Sequence, residues 1–261
     1  MSEENDNEKI IDLLYRINYY PGLQRLITIV HKANPAITKE EVKKFYDKDI
    51  TTQLTKVQPK TKPTGHIVSY ALNELWQMDI FDLSRYQYFN NYYKYLLVAI
   101  DVFSRKAFAV PLLNKEANTV KEAFIKMTKI VKPRCIISDH DSAFLSKEFS
   151  SYLDKLQIPL NVNAIGDHHV LGIIDNFAKR IKTIWTSTLI KNNSTNWIHI
   201  SDNILRVYNE RDNEALDGLS PNEATHEANK PQVLQINLDK KLRNMTISDL
   251  EPGDKVRKCI M

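Results

Sequence analysis

The chain has 261 residues, 43% hydrophobic and 26% charged, with a formal net charge of +4 and only two cysteines. That is room for one large or two small domains with an ample core. The charge permits nucleic-acid binding without arguing for it, and Cys135 and Cys259, far apart and near no Cys or His cluster, exclude a disulfide scaffold and a cysteine-based zinc site.

No apolar run nears the roughly 18 residues of a membrane span, so no membrane partner is expected. The acidic start MSEENDNEK is not a secretory signal. The first eight residues are expected to be disordered. From there to about Asp49 the pattern is helical: Ile10, Leu13, Leu14 and Ile17 fall at helix spacing, as do Leu23, Leu26, Ile27 and Val30 after Pro21-Gly22. Thr38 followed by Glu41 is a capping box that opens a third helix. These residues, 1–53, form a small helical module that reads equally as a packing unit or a DNA contact. Residues 54–70 follow as an extended basic linker, with LTKVQPKTKPTGH at 54–66.

From Leu75 the character changes. Leu75–Leu83, Tyr95–Val102 and Lys106–Leu112 read as three consecutive antiparallel strands. A helix over Glu116–Val131 comes next, then a buried strand Cys135–Ser138, a helix Leu145–Leu156 and a strand Leu160–Asn163. Two helices complete the series, at about Val170–Ile190 and Asn196–Arg211. This order predicts an α/β fold, a mixed sheet covered by helices. In LSPNEA at 219–224, Ser220 caps a short helix with Pro221 at its first position. The 229–261 segment reads as a tail that ends on the entry to a small β unit at 249–261.

Three acids stand out: Asp79 in WQMDIFDL, Asp139 in RCIISDHDSAF and Asp175 in GIIDNFAKRIK, with 35 residues between the last two. Asp79 interrupts an apolar strand, which costs energy unless the charge is paired or binds a metal. Asp139 follows a buried strand, where sheet folds tend to place active sites; turn chemistry is its bland alternative. Asp175 lies in the first turns of a long helix, with Lys179 and Lys182 on its face. Carboxylates held this way can converge on two divalent metals and drive phosphoryl transfer, and lysines beside them suit a phosphate backbone. Asp82 and Asp141 are spare acids. His168-His169 read as loop residues. Trp185, Trp197 and the Tyr-rich stretch 86–95 read as packing. No P-loop, G-x-S-x-G, H-E-x-x-H or dinucleotide fingerprint occurs.

From about Leu75 to Ala224 these motifs resemble, in order and spacing, the catalytic core of retroviral-type integrases of the DDE superfamily. The match is nearest to integrases of Maverick/Polinton-type transposons and related viruses, whose helical N-terminal segment is similar to residues 21–49. The resemblance implies an RNase H-like mixed five-stranded sheet with flanking helices over 71–228, and the opening strand of an SH3-like or chromodomain-like barrel near 253–257. It implies a metal-binding triad of Asp79, Asp139 and Asp175 holding two Mg²⁺ or Mn²⁺ ions. Lys179, Lys182 and Arg180 would bind DNA. The implied activity is 3′-end processing and strand transfer on the termini of a mobile element or viral genome and on target DNA. A homo-oligomer, dimer or tetramer, would act in a nucleus, viral factory or virion. Three departures stand out: the usual third Glu is Asp175, shorter by one methylene or roughly 1.5 Å of reach; the usual Asp-Asn-Gly is Asp139-His140-Asp141; and Asn176-Phe177-Ala178 keeps only part of the pattern after the third acid. A catalytically degenerate DNA-binding relative and an RNase H-like nuclease are the alternatives.

Overall fold

A computed structural model of the chain describes residues 2–49, 67–129, 131–162 and 170–246. Most of the expected 54–70 linker, the His168-His169 pair and the expected barrel strand lie outside those residues.

The helical module holds α1 (Ser2–Ile17), α2 (Leu23–Ala33) and α3 (Lys39–Lys48). Helix α1 starts at Ser2, where the polar, acidic sequence predicts disorder. Ile11, Tyr15, Leu26, Val30, Ile37 and Val42 form a core of its own for this module. Tyr19 and Tyr20, both in the left-handed region at φ 53° and 55°, reverse the chain before Pro21. The capping box that opens α3 is fully made: the Glu41 amide donates to Thr38 Oγ1, and the Thr38 amide donates back to Glu41 Oε2 at 2.7 Å.

The second unit is a five-stranded sheet of order β3-β2-β1-β4-β5, made of β1 (Leu75–Asp82), β2 (Tyr95–Asp101), β3 (Ala107–Leu112), β4 (Cys135–Ser138) and β5 (Leu160–Val162). The first three strands pair antiparallel in chain order, while β1–β4 and β4–β5 pair parallel through helical crossovers. The crossovers are α4 (Ala117–Met127) and α5 (Lys147–Lys155). Helices α6 (Gly172–Lys191) and α7 (Ile198–Glu210) follow. The segment Ser84–Phe89 is a 3-10 helix; within the Tyr-rich stretch Tyr86 and Tyr93 pack against the core, as expected, while Tyr88 and Tyr92 are exposed. Trp185 and Trp197 are core residues, as expected.

Strand alternation sorts the sheet into two faces. Trp76, Met78 and Ile80 of β1 pack with Phe124, Phe144 and Phe149 under α4 and α5. Phe81, Val98 and Ile100 pack with Ile174, Phe177 and Ile181 of α6 and Ile204 of α7. Gln77 and Asp79 therefore share the α6 face of β1 with Phe81.

The outer edge of β3 is covered by a side chain. Asn209 on α7 accepts from the Ala107 amide and donates to the Ala107 carbonyl, each at 2.9 Å, supplying the pairing an edge strand otherwise leaves open. A helix the sequence pattern does not announce, α8 (Lys230–Thr246), occupies part of the expected tail. Its Val233 joins Phe103, Leu216 and Ala224 in a small separate core.

Asn209→Ala deletes both bonds to Ala107 and strands a buried amide. The expected loss is about 1–3 kcal/mol, read as a lower urea midpoint with an unchanged slope; a midpoint equal to wild type would show that the edge contact contributes nothing.

Candidate active site

The acids come together by register. β1 and β4 run parallel with Met78 opposite Ser138, so Asp79 and Asp139 each follow the last paired residue by one position, and their charges interact. β4 ends at Ser138. At Asp79 the strand β1 thus loses its neighbour on that side, and the sheet opens.

Asp175 reaches the same place because α6 is tied to β1. The fully buried Gln77 donates from Nε2 to the Val170 carbonyl at 2.8 Å and accepts from the Ile174 amide at 2.9 Å. These are the residue before the first turn of α6 and the residue preceding Asp175. Burial and two neighbouring carboxylates, Asp139 and Asp175, push the Asp79 carboxyl above the usual range. The Ile80 amide, which donates to Asp79 Oδ1 at 2.7 Å, and the Lys182 ammonium work against that rise.

The three acids and Lys182 are therefore within electrostatic reach of one another around Asp79. Lys182 also sits 4.8 Å from the Phe81 ring centroid. Asp139 accepts from the Asp141 amide at 3.2 Å. Among the described residues no three His, Cys, Asp or Glu side chains already enclose a metal-sized point. The donor set nevertheless suits a hard divalent cation: carboxylates gathered at a half-buried opening repel one another until a cation is shared between them.

The two spare acids are placed elsewhere. Asp82 ends β1, exposed and on the opposite face of the strand from Asp79, and accepts from the Ser84 amide at 2.9 Å. The Ser84 side chain, and then that amide, lower its pKa. Asp141 holds the turn after β4, accepting from the Ala143 amide, and makes a 2.7 Å ion pair with Lys115. Burial disfavours the Lys115 ammonium, but Asp141 outweighs burial and the pKa is raised.

The other basic candidates divide around α6. Lys182 turns toward the acids, whereas Lys179 and Arg180 line two clefts of about 800 and 920 Å³ on the flank of the helix. Sequence reasoning passed over Gln77. Its only signal was a polar residue on the same strand face as Asp79, two positions before it.

With this geometry in view, known proteins give a consistent likeness. A model of the integrase core domain matches residues 69–168. The chain is 27% identical over 160 residues to the Gag-Pol polyprotein of feline leukemia virus, covering 60% of this chain and 9% of that protein. It is 30% identical over 134 residues to the Gag-Pro-Pol polyprotein of human T-cell leukemia virus 3, covering 50% of this chain and 9% of that protein. The chain thus spans about a tenth of the length of these relatives. Among solved structures, the simian T-cell lymphotropic virus intasome in complex with PP2A regulatory subunit B56 gamma aligns with a TM-score of 0.56 at 17% identity, over 84% of this chain and 74% of that one. The fold is the RNase H-like fold of retroviral integrases.

Gln77→Leu keeps the volume but leaves the Ile174 amide and the Val170 carbonyl without their partner. The amide of Ile174 is expected to exchange at least ten-fold faster with solvent deuterium than in wild type. Equal protection would mean that something other than Gln77 fixes the start of α6.

Proposed function

We propose that this chain is a DNA integrase that performs metal-dependent 3′-end processing and strand transfer for a mobile element or viral genome. One observation carries the reading: Asp79 and Asp139 stand one residue past a parallel strand pair, on the sheet face to which Gln77 fastens the helix of Asp175. The match to the integrase core domain supports it. The helical N-terminal module favours the Maverick/Polinton-type branch.

In this reading Asp79, Asp139 and Asp175 hold two Mg²⁺ or Mn²⁺ ions. Such a pair, when bound, supports the attack of water or a DNA 3′-hydroxyl on a phosphodiester and the departure of the leaving oxygen. The chain's own work is placement. β1 and β4 fix two carboxylates and α6 brings the third; burial first, and the charges of Asp139 and Asp175 after it, raise the Asp79 pKa. Lys182 beside Asp79, and Lys179 and Arg180 further round α6, bind the phosphates of element termini and target DNA. Joining two ends calls for a dimer or tetramer, acting in a nucleus, viral factory or virion.

A second reading rests on the third acid. Asp175 reaches less far than the Glu of the resembling family, and a shift of about 1 Å in a reacting group can cost on the order of 10²-fold. A chain with this defect would bind DNA without joining it.

A strand-joining assay with the element's terminal sequence in Mg²⁺ or Mn²⁺ separates the readings. Wild type is expected to join DNA, Asp139→Asn to lose at least about 10²-fold, and chelation to abolish the reaction. An inert wild type whose Asp175→Glu variant gains activity would identify a decayed integrase. Inertness of both, with both folded, would leave the non-catalytic reading.

A further inference from the structure

Helix α6 carries two chemistries on neighbouring sides. At 100° per residue Asp175 and Lys182 share one side, and Asn176, Arg180 and Thr183 fall on the next, with Lys179 between them. That second side forms a wall of the 920 Å³ cleft. Gly22, Arg25 and Thr28 of the helical module face it, and residues 211–218 close it.

Three guanidiniums meet in this cleft from three distant parts of the chain: Arg25 on α2, Arg180 on α6 and Arg211 after α7. Burial, then the charges of Arg25 and Arg180, lower the Arg211 pKa to about 10, with only Asp212 opposing them. Arg25 Nη1 pairs with Asp212 Oδ2 at 2.6 Å, and Arg211 Nη2 donates to the Asn18 carbonyl. The Nε of Arg25 is buried without a hydrogen-bond partner among the described residues. Three like charges packed against a single ion-paired carboxylate, with a buried donor left over, form a cluster that an anion would stabilise. Glu214 and Asp217, both exposed, line the same cleft. The positive region is therefore confined to the guanidiniums and the neighbouring Lys179, and suits one phosphate, not a long run of backbone.

We propose that Arg25, Arg180 and Arg211 form a phosphate-binding site, assembled across the boundary between helical module and catalytic core, that grips one backbone phosphodiester of bound DNA. By helix rise Arg180 lies about 7.5 Å along α6 from Asp175. A strand whose reacting end lies at the acids passes Lys179 and presents a phosphate here within a few nucleotides. The site then fixes the register of the DNA and draws on both the module and the core. This inference rests on the integrase reading for the identity of the ligand.

The test is binding of the full chain to a short DNA duplex in EDTA, by fluorescence anisotropy across a salt series, for wild type, Arg180→Gln, Arg25→Gln, the double variant and Lys147→Gln. Lys147 is exposed at the start of α5, which packs on the other face of the sheet. Arg180 is exposed, and thermal melts check that each variant is folded. Each arginine variant is expected to weaken binding about ten-fold and to reduce the salt slope by about 1. The double variant should lose less than the product of the two, because both side chains hold one phosphate. Salt slopes of both single variants equal to wild type, or an equal loss in Lys147→Gln, would overturn the site. A wild type that binds through these arginines but joins no DNA would sink the catalytic reading and leave this one standing. A wild type that joins DNA with both variants binding normally would do the reverse.

Discussion

The placement of the third acid depends on one buried amide. Gln77 spends both ends of its side chain on the start of α6, so the strand that carries Asp79 also sets the height of Asp175. Only one residue separates Gln77 from Asp79, and one peptide link separates Ile174 from Asp175. The distance between the acids is thus governed by a short, stiff path. A fully buried amide is tolerated there because its donor and acceptor are both satisfied. An apolar side chain would pack as well and would lose the register.

The strands were legible because each face of the sheet is buried under a helix layer. Leu96 to Ile100 are buried along the interior strand β2 without interruption, and such a run has few other readings. Cys135–Ser138 was read to the residue, since Pro133 and Asp139 bound it. Helix α8 escaped for a definite reason. Its buried positions among the described residues are Val233, Asn237 and Lys240, at helical spacing, but two of the three are polar. Lys240 is held by the Ala215 carbonyl at 2.6 Å, so a real helical stripe carries almost no apolar signal. The acids were visible one at a time, each with a bland alternative. What brought them together was strand register and the Gln77 tie, and neither is a local property of sequence.

The basic cleft illustrates the same limit more sharply. Nothing about Arg25 or Arg211 in sequence marks them, and Arg180 reads as one more helix cation. They meet only because the module seats on the core. Tyr19 packs against the core beneath α6, and Lys191 at the end of α6 makes a 2.6 Å ion pair with Asp49 and lies 5.3 and 5.4 Å from the rings of Tyr15 and Tyr20. A partly buried ion pair with aromatic walls is sensitive to geometry and gives orientation more than net stability.

These two connections bear on opposite ends of one helix. Gln77 fastens the start of α6 to the sheet, and Lys191 fastens its end to the helical module. Between them lie Asp175, Lys179, Arg180 and Lys182, all on a single rigid rod. The short side chain of Asp175 makes this rigidity matter. A flexible helix could let a longer glutamate find its position by rotamer choice, whereas an aspartate has one fewer torsion and less reach. Its carboxylate goes where the backbone puts it. A shorter third acid is therefore compatible with function only in a scaffold that pins this helix at both ends, and in this chain the pins are Gln77 and Lys191.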